Sequence, residues 1–275
     1  MATENGLHKN IVKTGFLLNS FPDISRTDLE VALPFWVETI SKKANIESET
    51  FIYTNIDKMR SDFLQDKINF IVAAPLSILE KFDSSQLTEG YKIVWGGQSA
   101  DSLLVITHKQ SGLNDFSKVK NQQLSLLAND PISDMFADVL ALENFGIKAK
   151  PVFNKINYVR KSSQLILKLF FKKTDVIFVY EGLYNLTSEL NPQIKAKTQV
   201  IAELSNIPRA LGFFHPRVDP QFREAVLTEV DKLNSYPAGQ QLLELFQADK
   251  TVRSSIEDLD SVKALKQRFQ RLSSP

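Results

Sequence analysis

Leu124-Ser125-Leu126-Leu127-Ala128, followed by Asn129-Asp130-Pro131-Ile132-Ser133-Asp134, runs from an apolar stretch through a turn into a helical pattern. The first five residues have the length and apolar content of a strand. Asn-Asp-Pro breaks it, and Met135, Phe136, Val139, Leu140 and Leu142 then recur at helical spacing, with Gly146 placed as the C-terminal stop. A strand that turns directly into a helix is the unit of α/β architecture.

The same unit recurs in both directions along the chain. Upstream, Ile11–Leu18 reads as a strand, and Leu29, Leu33, Trp36, Val37 and Ile40 follow helical spacing. Pro34 lies inside that pattern, where it either opens a second helix or kinks one long helix. Phe51–Thr54, Ile68–Ala73, Tyr91–Trp95 and Leu103–Thr107 read as strands. Ile56, Met59, Phe63 and Leu64 form an apolar helical stripe, and a short helix follows Pro75. Downstream, Val152–Phe153 reads as extended, and Ser162 or Ser163 as the cap of a helix through Phe171. Asp175–Tyr180 is a strand leading into a helix near Glu181. Gln199–Leu204 and Leu211–Phe214 are extended, and the chain from Pro220 onward is nearly all helix. Alternating elements of this kind predict largely parallel sheets flanked by helices. The break at Gly96–Ser102 and a second near Gln199–Ile207 predict two lobes joined by two crossings, with a hinged cleft as the natural ligand site.

Composition narrows the function. The 275 residues are 43% apolar and carry 33 basic against 32 acidic side chains. A balanced charge argues against a dedicated binder of nucleic acid or anionic membranes. Without cysteine, disulfides, thiol nucleophiles and thiolate metal sites are excluded. The longest apolar stretch, Ile68–Leu79, is interrupted by Asn69, Pro75 and Ser77, and a spanning helix needs about 20 residues. Met1–Asn10 has no apolar signal-peptide core, so the chain is either cytosolic or stripped of a signal or anchor. His8, His108 and His215 have no metal-ligand spacing and read as isolated surface or loop histidines. No phosphate-cradling glycine loop, nucleophile elbow or assignable acid–base pair is present. No cofactor, metal or catalytic residue is expected.

Three junctions between strand and helix carry chemistry, because a helix start offers backbone N–H groups and partial positive charge. At the first, Ser133 either offers a hydroxyl to a ligand or caps its own helix with Asp130, and Asp134 adds a charge that opposes an anion. At the second, Arg160-Lys161-Ser162-Ser163 is either an anion site or a solvated basic turn. At the third, Tyr180 stacks on a ligand or fills the core, and Glu181 holds an ammonium group or caps a helix. In the first lobe Asn19, Phe21, Tyr53 and Ser77 lie at strand ends, where open α/β sheets bind ligands.

The order of these segments resembles the type 2 periplasmic binding proteins, and among them the PhnD-type phosphate/phosphonate-binding components of ABC transporters. The resemblance spans Ile11 to Arg268. It rests on Tyr53–Met59 with Lys67–Val72, where Asn69 stands in place of the usual Asp, and on Leu103–His108 with Ser111–Phe116. Asp130–Ser133 with Leu142–Gly146, Lys172–Val176, Leu204–Pro208 and Ala238–Leu243 complete it. It implies a two-lobed α/β fold, each lobe a mostly parallel sheet flanked by helices, with a helical C-terminal tail. The implied division is 10–98 plus 205–275 for the first lobe and 99–204 for the second, with crossings near 97–103 and 199–207. It further implies a monomeric, non-catalytic solute receptor, periplasmic or otherwise outside the cytoplasmic membrane. That receptor closes on a small oxyanion-bearing, phosphonate-like ligand and serves an ABC permease or a membrane sensor, with no nucleic-acid partner. Ser133 matches a hydroxyl position of the family's oxyanion turn, and Glu181 lies near the position that holds a ligand's amine. The usual Ser/Thr/Gly cluster is reduced to Ile132-Ser133-Asp134-Met135, which weakens binding of a dianion. Two alternatives remain on the same fold: a sensing or interaction domain with an altered pocket, and an enzyme with histidines in its cleft.

Overall fold

The computed structural model describes residues 10–21, 24–94, 100–246 and 248–274. Its strands are β1 (Ile11–Leu17), β2 (Glu47–Tyr53), β3 (Phe70–Ala73), β4 (Gly90–Val94), β5 (Asp101–His108), β6 (Gln123–Leu127), β7 (Lys155–Val159), β8 (Val176–Tyr180), β9 (Thr198–Ile207), β10 (Leu211–Phe214) and β11 (Lys250–Ser254). Its helices are α1 (Arg26–Ala44), α2 (Ile56–Leu64), α3 (Pro75–Lys81), α4 (Pro131–Phe145), α5 (Ala149–Val152), α6 (Ser162–Phe170), α7 (Glu181–Leu190), α8 (Gln193–Lys197), α9 (Pro220–Asp231), α10 (Pro237–Leu245) and α11 (Asp260–Ser273). They form two compact units, residues 1–99 with 208–260 and residues 100–207 with 261–275.

The first unit is built on a six-stranded sheet in the order β11-β4-β10-β3-β1-β2. β1 pairs in parallel with β2 and β3, while β10 and β11 run antiparallel to their neighbours. Pro34 does not divide α1, which is one helix, started by Ser25 accepting the Asp28 N–H and ended by Asn45 in the left-handed region. Its Leu29, Leu33, Trp36, Val37 and Ile40 face the core with Phe16, Phe70, Tyr91 and Phe214. Asn69 is buried at the start of β3. Its amide accepts the Lys13 N–H at 2.8 Å and donates to the Ile11 carbonyl at 2.9 Å. An ionised Asp could make only the first of these bonds. Gly90 permits β4 to approach β10, since a Cβ there would sit 2.2 Å from the Gly212 carbonyl oxygen.

The second unit holds a five-stranded sheet in the order β7-β6-β8-β5-β9. β7, β6 and β8 are parallel, and β5 runs antiparallel to β8 and β9. Phe136 of α4 meets Phe178 of β8 edge to face, with centroids 5.8 Å apart and both rings buried. In each sheet the parallel pairs occupy one side, and antiparallel strands complete the other.

Several local expectations change. Val152 is helical, closing α5, and the strand that follows is β7. β11 interrupts the C-terminal region expected to be helical. β2 begins four residues earlier than Phe51. All three strands sit at sheet edges, where one side of the backbone meets solvent and the apolar pattern weakens. Neither Ser162 nor Ser163 caps α6: Lys161 holds the cap position, and Ser162 is the first helical residue. Residues 261–275 depart from the expected division. Val262 and Leu265 are buried, Arg268 pairs with Glu143, Lys148 lies over Phe269 at 5.3 Å, and Ser261 donates to the Asn206 carbonyl. The last helix therefore belongs with the second unit rather than the first. The expected crossing at 199–207 is taken up by β9, which pairs with β5 through two register shifts. His8, Trp95 and the Gly96–Ser99 break lie outside the described residues, as does the first crossing up to Ser99.

Candidate ligand site

Parallel pairing aligns the carboxyl ends of β7, β6 and β8, so α6, α4 and α7 all begin along one edge of the second sheet. The antiparallel β5 starts at the same edge, with Leu103 opposite Tyr180 and Asp101 two residues earlier. This is where an open α/β sheet presents a ligand to helix N-termini.

Asp130 is the centre of that edge. It caps α4, where its Oδ1 accepts the Ser133 N–H at 3.4 Å and its Oδ2 accepts the Ser133 hydroxyl. The Tyr180 hydroxyl donates to Oδ1 at 3.3 Å. The Asp134 N–H goes to the Asp130 carbonyl, and Pro131 has no N–H to offer. The Ser133 hydroxyl expected to receive an external oxyanion is thus already engaged by the chain's own carboxylate. Burial pushes the Asp130 carboxyl above its usual range. The hydrogen bonds from Ser133 and Tyr180 oppose that shift, and the nearby Asp134 charge adds to it. Asp134, one helical position further, accepts the Tyr158 hydroxyl at 2.8 Å. Burial also pushes its carboxyl up, with the Tyr158 bond opposing and Asp138 reinforcing. The Tyr158 phenol is raised to about 12 by burial and by Asp134.

Glu181 opens α7 beside Tyr180 and is half-buried. The Asp101 carboxylate accepts the Gly182 N–H at 3.1 Å. Four carboxyl groups, those of Asp101, Asp130, Asp134 and Glu181, therefore share this edge with the cations Arg160 and Lys161. Ser162 is buried at the start of α6, next along the edge. The structure joins Ser133 and Tyr180 through Asp130, and it sets Glu181 and Ser162 on the same edge. The participation of Asp101 and Tyr158 was not expected from sequence. Tyr158 lies on the edge strand that the apolar pattern failed to show, and Asp101 precedes an apolar run with no motif of its own.

Of the four candidates of the first unit, Tyr53 and Phe21 make contacts within it. Tyr53 is buried, and its hydroxyl donates to Asp62 at 3.1 Å. Asp62 also takes Lys58 at 2.8 Å and Lys67 at 3.2 Å, and these bonds, that of Lys58 foremost, hold its carboxyl below the usual range. Phe21 packs on the core against Phe16 and Phe246, with centroids at 6.4 and 6.0 Å. Asn19 is exposed, whereas the adjacent Ser20 is buried and accepts the Ala74 N–H at 2.7 Å. Ser77 lies in the first turn of α3, half-buried.

His108 and His215 are not surface histidines. Both are buried, and the Nδ1 of each accepts a backbone N–H two residues on, from Gln110 and Arg217. Among the described residues no group of His, Asp and Glu side chains is arranged to hold a metal.

The two-sheet architecture is shared with solved structures at low sequence identity. A binding-protein component of an ABC phosphonate transporter from Pseudomonas aeruginosa superposes with a TM-score of 0.65 at 13% identity, over 96% of this chain and 88% of that one. PhnD1 from Prochlorococcus marinus, in complex with methylphosphonate, gives 0.66 at 12% identity over 96% and 100%. A Xanthomonas citri protein bound to ATP gives 0.64 at 13% identity over 96% and 98%. At these identities the likeness defines the fold, that of two-lobed periplasmic binding proteins. No curated protein matches the chain by sequence. The profile of the family described as "ABC transporter, phosphonate, periplasmic substrate-binding protein" matches residues 20–259, and the chain belongs to that family. Its members are solute-binding components of transporters rather than enzymes, and they act outside the cytoplasmic membrane. No helix among the described residues is long and apolar enough to cross a membrane.

Proposed function

We propose that this chain captures a small solute for an ABC permease, and that the solute carries an amine together with its oxyanion, as an aminoalkylphosphonate does. The observation that carries this reading is the engagement of Ser133 and Tyr180 by the Asp130 carboxylate, with Asp134 and Glu181 on the same edge. A bare phosphonate dianion approaching α4 meets carboxyl groups in place of free hydroxyls. An ammonium group near Glu181 offsets that repulsion by a charge-assisted bond.

Titration calorimetry with 2-aminoethylphosphonate, methylphosphonate and inorganic phosphate tests it. The amine-bearing ligand is expected to bind at least about tenfold tighter than methylphosphonate, a difference of about 1.4 kcal/mol. Asp134→Ser is expected to narrow the gap by improving methylphosphonate binding. Methylphosphonate binding as tightly as the amine to the unaltered chain overturns the reading. The same Asp130 contacts support a second reading, a sensing or interaction domain whose oxyanion socket is closed. It is favoured if none of the three solutes binds.

A further inference from the structure

The opposite edge of the second sheet has a different chemistry. β5 ends there at His108, opposite Thr198 at the start of β9, and Thr107 lies opposite Val176 at the start of β8. Lys109 follows β5, Lys172 and Lys173 precede β8, and Lys195 and Lys197 precede β9. All five are exposed. Three of them make ammonium contacts, all to neutral groups. Lys109 reaches the Lys195 carbonyl at 3.3 Å, Lys172 the Gln110 side chain at 3.1 Å, and Lys197 the Gln193 side chain at 3.2 Å. Lys197 also lies 4.7 Å from the centre of the Phe170 ring. The carboxylates at this end include Asp115, Asp175 and Glu189, and Glu143, in the last turn of α4, pairs with Arg268. Asp115 and Asp175 accept backbone N–H groups, from Ser117 and Gln123.

Apolar side chains stand exposed in the same place. α6 and α7 both run back from the ligand edge and finish here. Phe171, just past the end of α6, is 63% exposed and meets Phe170 edge to face at 5.3 Å. Leu190, the last residue of α7, is 81% exposed. Large apolar side chains flanked by long, unneutralised lysines form the pattern of an interfacial membrane contact. The apolar groups enter the acyl boundary, and the ammonium groups meet lipid phosphates. The balanced charge of the whole chain hides this, because the sequence mixes the lysines with acids that the fold places at the other edge.

We propose that this end of the second unit docks on an anionic lipid surface, with Phe171 and Leu190 at the interface and the lysine cluster on the headgroups. Co-sedimentation of the full chain with phosphatidylcholine vesicles made anionic with phosphatidylglycerol tests it, beside pure phosphatidylcholine. Binding is expected to the anionic vesicles alone and to be lost in about 0.5 M salt, where screening is short-ranged. Lys172→Gln with Lys173→Gln is expected to weaken it about 25-fold, at about fivefold per lysine. Phe171→Ser with Leu190→Ser is expected to weaken it independently, with melting temperature unchanged in both variants. Absence of binding at low salt, or variants that bind like the parent, overturns the proposal. Retention on polyglutamate that survives the Phe171 and Leu190 changes also overturns it, and assigns the face to an acidic protein.

Discussion

The two edges of the second sheet are built from the same strands and carry opposite charge. At one edge Asp101, Asp130, Asp134 and Glu181 surround helix starts, and the carboxylate at the centre is buried and fully engaged. At the other, five lysines flank strand ends and stay exposed, and the contacts of Lys109, Lys172 and Lys197 are to neutral groups. Polar groups taken out of water are satisfied by the chain itself, and groups left in water stay free for an external partner. Burial therefore decides whether a charged residue serves the structure or the surroundings. Asp130 illustrates the first case and Lys172 the second.

Shortening the ring that joins both edges is expected to have the largest effect. Phe178→Ala removes a fully buried side chain from the middle of β8 and is expected to cost about 3–5 kcal/mol, measured by urea denaturation. Both edges lose stability together, so solute binding and lysine-edge properties fall in parallel. Asp130→Ala acts at one edge alone. It removes the α4 cap and takes the Asp130 acceptor from the buried Ser133 hydroxyl and from the half-buried Tyr180, at about 2–4 kcal/mol in the same measurement. Asp130→Asn keeps an acceptor and is expected to cost less than half as much. Equal losses for the two variants would show that capping and hydrogen bonding contribute little here.

The edges are also expected to respond oppositely to acid. His108 is held below its ordinary value of 6.5, chiefly by burial and further by Lys172 and Lys197. The folded chain favours its neutral form, so its contribution to stability is complete above pH 6.5 and declines as pH falls through that value toward the folded pKa. His108→Gln is expected to flatten that part of the stability profile. Asp130 and Asp134 are raised, so the folded chain favours their protonated forms. Their contribution is complete below the ordinary value of 3.8 and lost as pH rises through their folded values. Asp130→Asn removes the Asp130 part of that opposing slope. Removing Lys172 and Lys197 by Gln substitution is expected to raise the His108 pKa, read by NMR titration of its imidazole.

The smallest effect belongs to Tyr158→Phe. It deletes a hydrogen bond from a half-exposed phenol to Asp134, and a loss of about 0.5–1 kcal/mol is expected. The Asp134 carboxyl should move further up, since that bond opposes its rise. An unmoved Asp134 would remove Tyr158 from the ligand edge.

Much of this architecture was legible in sequence. Strands with both faces covered, such as β6 and β8, are nearly continuous apolar runs. α4 carried its own punctuation, Asp130-Pro131 at the start and Gly146, with φ 70°, at the end. Edge strands were harder. β7 and β11 mix Lys, Arg, Asn, Thr and Ser with their apolar residues, because a strand paired on one side only can leave polar side chains in water. Of the candidate site, Ser133, Tyr180 and Glu181 were nominated by the rule that a helix start offers backbone N–H groups and partial positive charge to a ligand. The link between Ser133 and Tyr180 was not visible, because Asp130 and Tyr180 are 50 residues apart and meet only through strand pairing.

Local pattern thus determined most of the strands and helices and the alternation that makes two α/β units, and the order of its motif segments carried the resemblance to the family. Hydrophobic periodicity and turn chemistry are properties of neighbours along the chain. Tertiary structure decided which charges were buried, which were left in water, and that α11 packs with the second unit. Those outcomes depend on what lies across the sheet or against a helix, and the burial that shifts the Asp130 and His108 pKa values exists only once distant segments have packed together.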